Sequence, residues 1–96
     1  MIVAFREVAE AELEAASDVY SALNPELGRR FLAEVDLAVS LAAENPKAYA
    51  IVDADIRHVR LRRFPHALYF RVVRDVLVVL ALFHPARDPS RLLRRS

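Results

Sequence analysis

Residues 67–83, Ala-Leu-Tyr-Phe-Arg-Val-Val-Arg-Asp-Val-Leu-Val-Val-Leu-Ala-Leu-Phe, are the stretch of this chain that decides its fold. β-Branched and aromatic residues recur in both halves of the stretch, and such runs are typical of strands. Arg74 and Asp75 separate the halves and predict a tight turn between two strands. The second run, Val76 to Phe83, is apolar at every position. It is therefore expected to be a central strand covered on both faces.

A strongly basic run, Ile56 to Arg63, precedes this hairpin. Five of its eight side chains can carry positive charge: Arg57, His58, Arg60, Arg62 and Arg63. Strand alternation places Val59 and Leu61 on one face and positions 58, 60 and 62 on the other. Because burying unpaired charges costs many kcal/mol, at least one face must meet solvent or an acidic partner. Phe64-Pro65-His66 is expected to end this basic strand.

The first half of the chain predicts a short strand and a helical hairpin. Residues 2–6 are suited to a strand, and from Val8 the apolar residues recur at three- and four-residue spacing. Asn24-Pro25 ends the first helix and begins the second, with Asn24 as N-cap and Pro25 at the first helical position. Asn45-Pro46 ends the second helix. The order β-α-α-β-β-β predicts an α+β fold, with the helical hairpin on one face of a small, mainly antiparallel sheet.

Composition restricts the class of protein further. The 96 residues are expected to form a single domain, residues 1–96, and the absence of cysteine excludes disulfides. No secretory signal is apparent, and the longest apolar run is far below the ~20 residues of a membrane helix. We therefore expect a soluble cytoplasmic protein with no membrane partner. The three histidines show no metal-ligand spacing, so neither a metal site nor a cofactor is expected.

Charge is divided unequally between the two halves of the chain. Residues 1–48 contain nine acidic and four basic residues, a net charge of −5, whereas residues 49–96 contain ten arginines and four acids, a net charge of +6. This asymmetry bears on the choice of partners. Both predicted helices lie in the acidic half, which argues against a DNA-recognition helix.

Four local sequences occur together in a recognisable order: Pro-Glu-Leu-Gly-Arg-Arg-Phe-Leu at 25–32, Glu-Asn-Pro at 44–46, Arg-Arg-Phe-Pro at 62–65 and His-Pro-Ala-Arg-Asp-Pro at 84–89. With the predicted element order, they resemble the ParE/RelE superfamily of type II toxin–antitoxin toxins, and the ParE or plasmid-stabilisation branch in particular. The resemblance implies a growth-inhibiting toxin neutralised by a cognate ParD-like antitoxin. It also implies that DNA is contacted only indirectly, through the antitoxin.

Two modes of action follow from this resemblance. ParE-like members inhibit DNA gyrase through protein binding, whereas RelE-like members are ribosome-dependent mRNA endoribonucleases. RNA cleavage needs an acid or base and cations for the developing phosphorane charge, and the candidates are His84 with Arg57, Arg63 and Arg87. A structural role for His84 within the turn at 85–89, and an ion pair between Arg87 and Asp88, are the alternatives for these residues.

RelE-like nucleases also carry lysines on the sheet and a catalytic aromatic near the C-terminus. This chain has one lysine, Lys47, and no aromatic residue after Arg91, although Tyr69 could substitute. Gyrase is therefore the predicted target and RNA the alternative. His58 and His66 are expected to be surface or turn residues, and Tyr69 a packing residue.

The basic run is predicted to bind protein rather than RNA. The residues assigned to partner binding are Arg57, Arg60, Arg62, Arg63 and Arg87. Carboxylates on an acidic antitoxin tail would pair with these guanidinium groups, while an amphipathic helix of the tail rests on the neighbouring apolar positions. A solvated sheet face, with arginine stems lying over apolar neighbours, is the structural alternative.

Overall fold

Two helices pack against one five-stranded sheet in the computed structural model, which describes residues 1–84. The elements are β1 (Ile2–Phe5), α1 (Glu7–Leu23), α2 (Pro25–Glu44), a 3₁₀ turn (Pro46–Ala48), β2 (Ile51–Asp53), β3 (Ile56–Arg60), β4 (Ala67–Val73) and β5 (Val76–Phe83). The strand order is β1-β5-β4-β3-β2. β1 runs parallel to β5, and the other neighbours are antiparallel. The predicted α+β fold is confirmed.

The predicted hairpin of β4 and β5 forms the centre of the sheet. Arg74 and Asp75 make its turn with φ values of 49° and 68°, the left-handed geometry of two-residue hairpin turns that match strand twist. Tyr69 pairs with Ala81 and Phe70 with Val79, so that Leu80 is an extra residue in β5. Such a bulge bends the strand locally.

The main core lies between the helices and the sheet. β5 contributes Leu77, Val79 and Leu82 to this core, and it contributes Leu80, Ala81 and Phe83 to a smaller cluster. The side chains of that second cluster lie on the sheet face away from the helices, as strand alternation and the β3–β4–β5 register indicate. The prediction that β5 is covered on both faces is confirmed, since all six of these residues are buried.

The helical hairpin forms as the sequence predicts. The side chain of Asn24 accepts a hydrogen bond from the N–H of Glu26 over 2.9 Å, and Pro25 begins α2. Gly28 marks the close approach of the helices, because a Cβ at this position would lie 1.9 Å from Ser21 Oγ. No helix within residues 1–84 combines the length and apolar character needed to cross a membrane.

Two features of the sheet differ from the prediction. β3 ends at Arg60, three residues early, because the chain turns there and the N–H of Leu61 donates to the carbonyl of His66 over 3.0 Å. Arg62 and Arg63 therefore lie in a loop, between the buried side chains of Leu61 and Phe64. The second difference is β2, a three-residue edge strand that the sequence did not predict.

Candidate functional site

A cleft between α2 and β3 brings the basic run against an exposed part of α2. It holds about 100 Å³ and is lined by Glu34, Leu37, Ala38, Leu41, Tyr49, Val59, Arg60, Leu61 and Arg62. Leu37 and Leu41 lie one helical turn apart and remain 50% and 46% exposed. Leucines that stay half exposed beside a cleft are suited to contact another apolar surface.

A shallow depression continues this cleft around α2. Arg30, Arg62 and Arg63 line it together with Ala33, Glu34 and Leu37. We call the cleft and the depression together the basic cleft. Arg30 Nε also lies 3.6 Å from Glu26 Oε1. The pKa of Glu26 is held below its usual value, mainly by the hydrogen bond from Arg29. Arg30 of α2 and the two arginines of the loop after β3 therefore border one apolar floor, which Ala33 and Leu37 form.

Glu34 holds the loop that carries Arg62 and Arg63. Its Oε1 accepts a hydrogen bond from the N–H of Arg63 over 2.8 Å and another from the N–H of Arg62. The loop backbone is thereby attached to α2, while both arginine side chains remain exposed. Sequence reasoning missed Glu34, because an acid 28 residues before Arg62 gives no local signal of this contact.

Arg57 occupies a different position from the other arginines of the basic run. It pairs with Phe70 in the sheet, so it projects to the helix side, whereas Arg60 is paired with Ala67 and projects to the opposite side. Its Nη1 donates to the carbonyl of Tyr49 over 2.7 Å. Arg57 therefore holds the segment before β2 in place, and Tyr49 of that segment lines the cleft.

His58 and Tyr69 are cross-strand partners on the sheet face away from the helices, with ring centroids 5.9 Å apart. Burial lowers the pKa of His58, and the nearby charge of Arg60 lowers it further. Burial also raises the pKa of Tyr69, an effect that Arg60 opposes. Tyr69 stacks on Phe83 at 4.8 Å and is only 7% exposed. Its predicted role as a packing residue is confirmed.

The candidate nuclease residues are not gathered in one place. His84 lines a cleft of about 340 Å³ against α1, with Glu12 and His66. Arg63 lines the basic cleft, and Arg57 is bonded to Tyr49. Arg87 lies outside the described residues. Within residues 1–84, no three acidic or histidine side chains are grouped so that they could hold a metal ion.

Comparison with known proteins gives a consistent result. The chain matches the family described as ParE toxin of type II toxin–antitoxin system, parDE, over residues 3–89. It is similar to the solved chromosomal ParDE system from P. aeruginosa, with a TM-score of 0.76 and 23% identity over 88% of this chain and 95% of that chain. No curated protein sequence matches the chain.

Two further solved structures share the fold. The intact E. coli RelBE toxin–antitoxin complex matches with a TM-score of 0.67 and 19% identity over 90% of this chain and 98% of that chain. The isolated E. coli RelE toxin matches with a TM-score of 0.66 and 19% identity over 98% of this chain and 96% of that chain. At these identities the likeness concerns the arrangement of helices and strands.

Proposed function

This chain belongs to the ParE toxin family of type II toxin–antitoxin systems, and from that premise we propose that it arrests growth by binding DNA gyrase as a protein partner. The toxin acts in the cytoplasm, where gyrase and DNA are found. In this proposal it performs no chemistry of its own, and its effect comes from trapping or blocking the enzyme.

The observation that carries this proposal is the separation of the candidate catalytic groups. An acid–base group and the cations that stabilise a phosphorane must lie around a single reacting phosphate. Here these groups are separated: His84 lies against α1, Arg63 lies against α2, and Arg57 is bonded to the carbonyl of Tyr49. The single lysine of the chain also supports a protein-binding toxin, since the sheet has no lysine to contact RNA.

The antitoxin partner of this toxin is proposed to occupy the basic cleft. An amphipathic helix would place its apolar residues on Leu37 and Leu41. Carboxylates along the helix edge would pair with the exposed Arg62 and Arg63, which increases the association rate and sets the register, while Arg60 would meet the partner at the end of β3. Arg57 contributes by holding the cleft wall at Tyr49. Contact with DNA comes through the antitoxin.

The test is an in vitro comparison of the two modes of action. Purified toxin is added to gyrase supercoiling reactions and, separately, to a reconstituted translation system whose mRNA is analysed by primer extension. We expect loss of supercoiling that added antitoxin restores, and intact mRNA. Codon-positioned cuts in the mRNA, together with unaffected supercoiling, would contradict the proposal.

The alternative is a RelE-like mRNA endoribonuclease, and one observation favours it. Arg60, His58 and Tyr69 are neighbours on the sheet face away from the helices. Burial lowers the pKa of His58, which favours the neutral imidazole that a general base requires. In the primer-extension experiment, this alternative requires cuts that are lost in His58→Ala and retained in His84→Ala.

A further inference from the structure

One flank of α1 carries apolar side chains that are exposed. Val8, Val19 and Leu23 are 42%, 62% and 73% exposed, and Ala15 is exposed between them. These four residues follow one another at spacings of seven, four and four, so they lie in one stripe along the helix. We call this stripe the α1 flank. An exposed apolar stripe of this kind is suited to contact another protein.

The α1 flank faces away from α2. Ser21 marks the side of α1 that approaches α2, since its Oγ lies at the close contact between the helices. Val19 and Leu23 are each two residues from Ser21, which is about 200° around the helix and therefore on the opposite side. The flank instead meets the end of β5, because Ala15 and Val19 line the cleft of about 340 Å³ that His84 also lines. The basic cleft, which lies between α2 and β3, is therefore separate from the α1 flank.

The helix that carries this flank is strongly acidic. Its 17 residues include five acids and no lysine, arginine or histidine, so its net charge is −5. Glu7, Glu14 and Asp18 are exposed, and each immediately precedes a residue of the α1 flank. They form a negatively charged border along one side of the stripe, because residues at this spacing lie above one another on a helix. A partner that fits this surface combines apolar side chains with positive charge.

We propose that the toxin uses the α1 flank and its acidic border to bind a basic surface of DNA gyrase. Gyrase holds DNA, so part of its surface must carry lysine and arginine side chains that neutralise phosphates. Apolar side chains of that surface cover Val19 and Leu23, and its cations pair with Glu14 and Asp18. The inference rests on the proposed function and deepens it, since it names the surface of the toxin that acts on gyrase.

Charge argues against two other occupants of the α1 flank. A second copy of the toxin would bring together two α1 helices, each with a net charge of −5. An antitoxin tail whose carboxylates pair with the basic cleft would be repelled by Glu14 and Asp18. An antitoxin that occupies the basic cleft can still neutralise the toxin, because α1 packs against α2 and the bulk of the antitoxin keeps a large enzyme away.

Gyrase supercoiling assays on toxin variants test the apolar part of this surface. Val19→Ser combined with Leu23→Ser removes the two most exposed side chains of the α1 flank and leaves the core intact. The toxin concentration that halves supercoiling is expected to rise at least about tenfold. Ile51→Ser combined with Val73→Ser, two exposed apolar residues on strands, is the matched control and should inhibit gyrase as the wild type does. Thermal unfolding checks that both variants are folded.

Reversal of the acidic border tests the charge of the partner surface. Glu14→Lys combined with Asp18→Lys should also raise the half-inhibiting concentration at least about tenfold. Inhibition by the wild-type toxin should weaken as the salt concentration rises, because salt screens exposed charges. Asp36→Lys combined with Glu44→Lys changes the net charge equally at two exposed acids of α2 and should leave the inhibition unchanged.

The outcomes separate this inference from the proposed function. Full inhibition by the wild type and by both α1 variants would overturn the inference and leave gyrase as the target. A wild-type toxin without effect on supercoiling would overturn both. Calorimetry that shows weaker antitoxin binding in the Val19→Ser and Leu23→Ser variant would assign the flank to the antitoxin instead. Sedimentation that shows self-association of the wild type, lost in the same variant, would assign the flank to a second copy.

Discussion

The two faces of α2 differ in burial and in the role that each has in the protein. One face is buried against the sheet and α1, and its residues are Phe31, Val35, Ala38, Val39 and Ala42. The other face carries Arg30, Glu34, Leu37 and Leu41 along the basic cleft. Neighbouring residues of this helix therefore have different roles. One packs in the core, and the next lies on the surface that is proposed to bind the partner. Substitutions on the two faces should have separable effects on stability and on binding.

The largest expected effect follows from breaking the buried face. Phe31 is fully buried and packs at about 5 Å from the rings of Tyr20, Phe64 and His66. Phe31→Ala should lower the free energy of unfolding by about 3–5 kcal/mol, a large part of the roughly 5–15 kcal/mol that stabilises a typical domain. Urea denaturation measures this loss. Leu32→Ala at the exposed neighbouring position is the control, and a similar loss there would contradict the distinction between the faces.

A smaller effect, on affinity alone, is expected from the open face. Alanine at both Arg60 and Arg62 should weaken antitoxin binding by roughly 10- to 100-fold, about 1.4–2.8 kcal/mol, with unfolding unchanged. The cause is the loss of two positive charges from residues that line the cleft, Arg60 at the end of β3 and Arg62 in the loop after it. Calorimetry at two salt concentrations measures the change. Arg29→Ala with Arg74→Ala removes two exposed arginines outside the cleft and should leave the affinity intact; unchanged affinity in the cleft variant would disprove the assigned surface.

The smallest effect is expected at Glu34, whose hydrogen bonds attach the loop after β3 to the open face of α2. Glu34→Ala removes the acceptor for the N–H groups of Arg62 and Arg63 and should cost about 1 kcal/mol of stability. Glu34→Gln keeps an acceptor oxygen and should retain most of that stability. Thermal unfolding of the three proteins gives the comparison. Equal losses in both variants would show that the charge, rather than hydrogen bonding, holds the loop.

Local signals predicted most of the fold. Asn24-Pro25 separated the helices correctly, because capping and a proline at the first helical position act within a few residues. The β4–β5 hairpin was predicted from two strand-forming runs around Arg74-Asp75. Strand β2 was not predicted, since three residues are too few to show a period. The turn from β2 to β3 places Ala54 at φ 49°, and the turn has no glycine or asparagine to signal such a conformation.

The site was predicted less completely than the fold. Composition alone identified the arginines of the basic run, and strand alternation placed His58 and Arg60 on one face. The end of β3 at Arg60 could not be predicted, because it depends on packing Leu61 and Phe64 into the core. The inward direction of Arg57 and the contact of Glu34 with the loop likewise depend on residues distant in sequence.

The sequence by itself determined the order of the elements, the family of the chain and the segregation of acidic and basic residues between its halves. These properties are carried by residue identity and by contacts within a few positions. Only the tertiary structure decided which arginines border an apolar floor, which of them are bonded inside, and that α1 leaves an apolar flank exposed beside the end of β5. The physical reason is that the sheet register and the packing of α2 bring together side chains separated by tens of residues.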